Sequence, residues 1–347
     1  MNHSVKDSSF NSRRKSYGVS SVGTNRRSSY PFVLGCLTFG WTTPQEEAFA
    51  IVDRALDAGV NFLDTANTYG RGTSEEVTGQ NLKRNGKRQQ VVLATKVHGR
   101  MNDDDPNAAG NSRRHTIEQC EASLHRLQTG YIDLYQIHCP RPDIPIDETL
   151  RALDDLIRAG KVRYIGSSTF VAWQLMESLW VSKELGLNRF ICEQPPYNHL
   201  DRRIEQELLP MAQTYGIAII PWSPLGGGLL TGKYQRNTPP PADSRYADRK
   251  GNPRFTDQAF DIVERLRPLA SEKGCTLSQL SLAWCFSQPT VTSSIAGPRT
   301  MDQLNDNLGA LEVRLTAEDK AKIDEVAPPG RMASPFYEAE FGPHFYR

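Results

Sequence analysis

The sequence predicts an α/β protein built as a closed parallel (β/α)₈ barrel of the TIM type, a single domain with a tail in front of it. Three observations carry that reading. From residue 31 onward, short apolar runs alternate with amphipathic segments about eight times over roughly 300 residues, the strand-then-helix repeat that a barrel requires. Most of the short runs are continuously apolar, as parallel strands buried on both faces must be. No G-x-G-x-x-G follows the first strand, so an open doubly wound sheet lacks its phosphate-binding fingerprint.

The expected strands are 32–34, 61–64, 91–96, 132–138, 164–167, 190–194, 217–222 and 292–295. The helices between them carry their own punctuation. Thr43, Pro44, Gln45 and Glu46 form a capping box with proline at the first helical position; Ala48, Ile51, Val52, Ala55 and Leu56 make the buried stripe, and Gly59 ends it. Residues 147–159 repeat the scheme before Gly160, and 117–127, 172–185 and 204–215 read the same way. Residues 31–327 are therefore the barrel domain and 328–347 a C-terminal tail. Residues 1–30 are rich in Ser, Arg, Asn and Gly, with Asp7 the sole acid, which predicts a disordered tail; an organelle transit peptide is the other reading of that composition.

The totals limit the function. The chain has 347 residues, and its 41 basic and 40 acidic side chains nearly cancel, so no field points to nucleic acid or to an anionic membrane. Its apolar stretches, such as 216–222, fall far short of the roughly 20 residues a spanning helix needs. Cys36, Cys120, Cys139, Cys192, Cys275 and Cys285 have neither C-x-x-C nor zinc spacing, so they read as core thiols of a cytoplasmic protein without a metal site. A small molecule is the expected partner.

Barrel enzymes build their sites at the C-terminal ends of the strands. There this chain has Asp64 in FLDTANTYG, Lys96 in VVLATKVHG and His138 in IDLYQIHCP, with Tyr69 just past the second strand. Each alone has a plain structural explanation: a strand-end Asp caps a turn, a Lys snorkels to water, a His sits hydrogen-bonded in a core. Their coincidence around one rim looks like machinery for moving a proton. A second set lies in LGGGLLTGK, where Gly227 to Lys233 matches G-x-x-x-x-G-K. Tyr234 stands where a nucleotide triphosphatase needs Ser or Thr, and QRNTPPP cannot begin a helix, so what remains is a flexible backbone able to approach a pyrophosphate, with Lys233 as counter-charge.

FLDTANTYG, ATKV, DLYQIHCP, KVRYIGSS, EQPPYN and PWSPLGGGLLTGKY, in that order and spacing, resemble the aldo-keto reductase family across about residues 31–325. The resemblance implies an NADPH-dependent barrel enzyme that reduces an aldehyde or ketone to an alcohol, with Asp64, Tyr69, Lys96 and His138 as its catalytic tetrad. Hydride reaching a carbonyl carbon leaves charge on the oxygen, which an acid must meet with a proton. Tyr69 is that acid. Free tyrosine titrates at about 10, so the Lys96 ammonium is expected to lower it, while Asp64 fixes the lysine and His138 aligns the carbonyl.

The same resemblance implies that Trp222 stacks on the nicotinamide, that Ser168, Thr169 and Gln194 bind its amide, and that Ser223, Pro224, Leu225, Gly227, Leu229 and Lys233 wrap the pyrophosphate. Gly297, Arg299, Gln303, Asp306 and Asn307 match the adenosine site, and Arg299 suits a 2′-phosphate, which puts NADPH ahead of NADH. Thr169 stands where many members have Asn, and residues 1–30 show no clear version of the hairpin that usually closes the barrel bottom. Trp41, His98 and the segments 101–113, 235–255 and 336–346, together with Tyr69 and His138, are expected to shape the substrate pocket. Two other functions remain open: a cofactor-sensing accessory protein, since potassium-channel β subunits share the W-S-P-L segment, and a Schiff-base lyase using Lys96.

Overall fold

A computed structural model describes residues 31–247 and 252–339, together with the backbone of 20–21 and 28–29. Its strands are β1 (Phe32–Gly35), β2 (Phe62–Asp64), β3 (Val92–Val97), β4 (Ile132–Ile137), β5 (Val162–Ser168), β6 (Cys192–Gln194), β7 (Ala218–Ile219) and β8 (Ser294–Ala296). They pair in parallel in chain order, and β8 lies beside β1. The chain entering β8 also bonds to β7: Thr292 N donates to Ile219 O at 2.8 Å and Ile295 N to Pro221 O at 2.9 Å. Those bonds close the barrel.

The helices are α1 (Gln45–Asp57), α2 (Thr73–Asn85), α3 (Arg113–Arg126), α4 (Ile146–Arg158), α5 (Ala172–Leu185), α6 (Leu208–Tyr215), α7 (Asp257–Glu272), α8 (Leu277–Phe286), α9 (Met301–Gly309) and α10 (Ala317–Val326). Two hydrophobic layers result. Val33, Phe62, Ala94, Leu134, Cys192 and Ile295 fill the barrel interior, while their neighbours one residue along, such as Leu34, Leu63, Leu93 and Tyr135, pack outward under the helices. Side chains alternate faces along a strand. Counting by twos from the interior residues therefore reaches Asp64, Lys96, Gln136 and then His138, and Gln194, all at the C-terminal rim.

Several local expectations change. Thr43 does not cap α1: Pro44 occupies the N-cap without a side-chain bond, and the Thr43 hydroxyl instead meets the Thr38 hydroxyl at 2.9 Å. Leu56 is half-buried rather than part of the inner stripe. The expected helix 204–215 splits into a 3₁₀ turn (Arg203–Glu205) and α6, because Pro210 clashes with a helical carbonyl four residues back and fits only a first turn. Strand seven is short because Pro221 has no N–H to give a ladder. The backbone of Ser20–Ser21 pairs antiparallel with Ser28–Ser29, two residues before β1 starts, so a hairpin is present that an all-serine pattern could not announce. The rest of the predicted tail, and 340–347 with Tyr346, lie outside the described residues.

Five of the six cysteines are buried and the sixth, Cys275, half-buried; all are free thiols. Among the described residues no helix is long and apolar enough to cross a membrane.

Gly79 shows how tightly the helix layer fits. A Cβ there would lie 2.5 Å from the Leu127 carbonyl carbon, which is main chain that cannot swing away. Gly79→Ala gains about 1 kcal/mol of helix propensity but forces an overlap that costs about 1–3 kcal/mol, so its urea midpoint is expected to fall. An unchanged or raised midpoint would contradict the packing described.

Candidate active site

β2 and β3 bring the two buried charges together. Lys96 is wholly buried and Asp64 2% exposed, and the Lys96 Nζ donates to Asp64 Oδ2 at 2.5 Å and to the Thr65 carbonyl at 2.9 Å. The other carboxylate oxygen, Oδ1, accepts from Gln194 Nε2 at 3.0 Å and Gln136 Nε2 at 3.3 Å. Each charge is thus met by more than its partner, as a charge withdrawn from water requires. Burial pulls the Lys96 ammonium toward neutrality, but Asp64 and Tyr69 together outweigh it, and its pKa rises above 10.5.

Tyr69 reaches this pair because the chain doubles back after β2. Gly70, Arg71 and Gly72 all have positive φ, at 57°, 55° and 102°, and this left-handed run needs glycine at two of its three places. The ring lies 5.1 Å from Lys96 Nζ and meets the His138 ring edge-on at 5.6 Å between centroids. Burial lifts the phenol above its ordinary 10.0, while the Lys96 charge and a hydrogen bond from it pull downward. The expected lowering by Lys96 is present in sign, yet burial prevails, so Tyr69 keeps its proton at neutral pH. His138 is pushed well below 6.5 by burial and then by the Lys96 charge, which leaves it a neutral imidazole.

Asp64, Tyr69 and His138 line a cavity of about 470 Å³. That volume falls within the roughly 300–1,000 Å³ of small-molecule sites. Ser168, Thr169, Gln194 and Trp222 continue the wall, as do Ser223, Pro224, Leu225, Gly227 and Lys233. Gly297, Arg299, Gln303, Asp306 and Asn307 line the same cavity. The 225–232 turn has positive φ at Gly226, Gly227 and Gly228, and a Cβ on Gly227 would stand 2.4 Å from the Tyr246 hydroxyl, so only glycine fits. Lys233 is depressed by burial and then by the repulsion of Arg299 and Arg245, which marks a cluster of cations along this wall. Arg299 Nη2 donates to the Asp243 carbonyl at 2.6 Å, and Asp306 accepts from Thr276 Oγ1 at 3.0 Å.

Two bends of the cavity wall are strained. Thr169 and Ser223 have φ of 63° and 53°, unusual for side chains with a Cβ and most of all for the β-branched Thr169. Glu193 fixes the first of these bends: its carboxylate accepts from Ser167 Oγ at 2.5 Å and from the Phe170 N–H at 3.0 Å. Burial raises its pKa to about 8.

Some expected residues fall elsewhere. Leu229 is 1% exposed and packs into the hydrophobic core, pointing away from the cavity that its neighbours line. Trp41 is 66% exposed and His98 bonds to Asn111 at 3.0 Å, and neither reaches the cavity wall. Residues 101–113 do not line it either, whereas Phe336 stands 6.1 Å from Trp222. Arg245 and Arg254, within the expected 235–255 segment, line the wall, and Thr38 and Ser278 join it unannounced. Gln136 was also missed, although it sits two residues before His138 and faces inward by the same alternation.

The family model described as the aldo/keto reductase family matches residues 31–328. A probable voltage-gated potassium channel subunit beta of Oryza sativa subsp. japonica is 40% identical over 298 residues, 84% of this chain and 90% of the relative. An uncharacterized oxidoreductase, YrpG, of Bacillus subtilis (strain 168) is 37% identical over 306 residues, 86% of this chain and 92% of the relative. Versiconal hemiacetal acetate reductase of Aspergillus parasiticus is 32% identical over 321 residues, covering 86% and 93%. With a closed barrel, a polar cluster on its C-terminal rim and a family model spanning the domain, the chain belongs to the aldo/keto reductase family and is an oxidoreductase enzyme.

Proposed function

We propose that the protein reduces an aldehyde or ketone to an alcohol with NADPH, and that Tyr69 is the general acid. The observation that carries this reading is the Lys96 ammonium held between Asp64 and the Tyr69 ring, both of which line one cavity. A reduced nicotinamide, when bound, supplies the hydride. Trp222, Ser168 and Gln194 orient that ring, the glycine turn with Lys233 receives the pyrophosphate, and Arg299 takes the 2′-phosphate. The residues fit such a ligand, because the wall combines a turn closed to any Cβ with clustered cations.

As the carbonyl oxygen gains charge, Tyr69 gives it the phenolic proton and becomes a phenolate, which the Lys96 ammonium stabilises. Neutral His138 can donate one N–H to the same oxygen and hold it in line. Proton transfer of this kind contributes about 10²- to 10⁴-fold, so positioning and charge stabilisation provide the rest. A lyase needs Lys96 uncharged, and its raised pKa weighs against that role. Free, buried thiols and the near-neutral charge support a cytoplasmic setting with a small-molecule partner.

The potassium-channel name of a relative 40% identical favours a second reading, a slow cofactor-binding accessory protein. Steady-state turnover on a panel of carbonyl compounds separates the two, since such a sensor binds NADPH and hardly turns over.

Tyr69→Phe is expected to lower carbonyl-dependent NADPH oxidation by about 10²-fold or more while NADPH binding, read by fluorescence titration, survives. Unchanged turnover would remove Tyr69 from the chemistry. Arg299→Ala should weaken NADPH by on the order of tenfold, about 1.4 kcal/mol, and leave NADH nearly untouched. Equal losses for both cofactors would contradict the 2′-phosphate assignment. The pH profile of kcat/KM for reduction should show no inflection at the ordinary imidazole value of 6.5, since His138 is already neutral there, and should decline only above 10.0 as Tyr69 loses its proton. A bell centred near neutrality would overturn the acid assignment.

A further inference from the structure

Arg254 lies on the segment between Lys233 and α7 and is 3% exposed, yet it forms part of the cavity wall. Its Nη1 donates to the Tyr246 hydroxyl at 3.2 Å, and its guanidinium carbon stands 4.6 Å from the centre of the Phe336 ring. Nε and Nη2 are buried and have no hydrogen-bond partner among the described residues. A guanidinium is always charged and presents its N–H groups as a planar fork matched to carboxylate and phosphate. Leaving two of those donors buried and unmet is costly, far more so than for a neutral group.

The surroundings fix the group where it is. Ser334 Oγ donates to the Arg254 carbonyl at 2.9 Å, and the Arg254 N–H is held by Asn252 Oδ1 at 3.0 Å. Phe336 and Tyr246 pin the side chain from two sides. The charge balance of the cavity points the same way. Lys233, Arg245 and Arg299 share its wall, while its two acids are occupied: Asp64 by Lys96, and Asp306 by Thr276 and Gln279. The ligand that completes this wall is an anion.

We propose that Arg254 is an anion-receiving group of the cavity, its Nε and Nη2 edge taking an oxyanion of the bound ligand. Two oxyanions share that chemistry, a phosphate of the dinucleotide and a carboxylate carried by the carbonyl substrate. The identity of the ligand rests on the function proposed above; the presence of an oxyanion subsite at Arg254 does not, and the test reads the two apart.

The full chain, Arg254→Met and Arg254→Lys are titrated by calorimetry with NADPH, inorganic pyrophosphate, 4-carboxybenzaldehyde and the methyl ester of that aldehyde, and the melting temperature of each free protein is recorded. A tenfold or greater loss of pyrophosphate and NADPH affinity in Arg254→Met, with the aldehydes unaffected, assigns the phosphate. A similar loss for the carboxylated aldehyde alone, with its ester unchanged, assigns the substrate. Arg254→Lys should recover part of the loss, because it keeps the charge without the fork, and it reads the contact if the methionine variant does not fold. Arg254→Met should melt no lower than the parent, since it removes a buried charge. Wild-type affinities in both variants for all four probes, or a lowered melting temperature with unchanged binding, overturn the proposal. If the parent binds pyrophosphate through Arg254 but not NADPH, the cofactor reading falls and the subsite stands.

Discussion

The site is organised by one buried ion pair, Lys96 with Asp64, on neighbouring barrel strands. Removing one partner of such a pair leaves an uncompensated charge and costs about 3–5 kcal/mol, so the two are obligate companions. The pair persists because Thr65, Gln136 and Gln194 saturate it with hydrogen bonds from three further directions. In place it delivers a permanent positive charge to the Tyr69 ring at 5.1 Å, in surroundings too dry to screen it. Asp64 keeps Lys96 charged, Lys96 bears on Tyr69, and burial, reinforced by the same charge, keeps His138 neutral.

Rigid and adaptable parts divide the work. Of the residues proposed to handle the proton, the two buried charges stand at strand ends whose register is set by the ladder, with Lys96 opposite Gln136 and Asp64 opposite Ala94. The cavity wall includes loop residues held in strained conformations, Thr169 and Ser223 among them. That strain is held by specific bonds, such as Glu193 to the Phe170 N–H and Asn198 Nδ2 to the Ser223 carbonyl at 2.9 Å. Above the unfolded carboxyl value of 4.5 and through its folded value of about 8, neutral Glu193 gains its proton only in the folded chain, so its contribution to stability weakens as pH rises through that window.

The barrel was legible because both of its periodicities are written locally. Continuous apolar runs such as VVLAT gave the strands, and glycines after helices, Gly59 and Gly160, gave the stops, each with positive φ in the fold. Asp64, Lys96 and His138 were readable for the same reason, since each ends an apolar run and rim position follows from strand direction. What escaped depends on distant contacts. Leu229 looks like its cavity-lining neighbours until the turn winds it into the core, and within the expected 235–255 segment nothing singles out Arg254, whose guanidinium meets Phe336 far along the chain. The Thr43 capping box failed because Thr38 offered its hydroxyl a different partner. The hairpin of Ser20–Ser21 and Ser28–Ser29 has no apolar alternation to betray it.

The claim on which the account turns is that the Lys96 charge acts on the Tyr69 hydroxyl. The direct measurement is a pH titration of the ¹³Cζ resonance of Tyr69, assigned with Tyr69→Phe, in the parent protein and in Lys96→Met. The account predicts that loss of the ammonium moves the phenol to a still higher pKa. Superimposable titrations in the two proteins would contradict it.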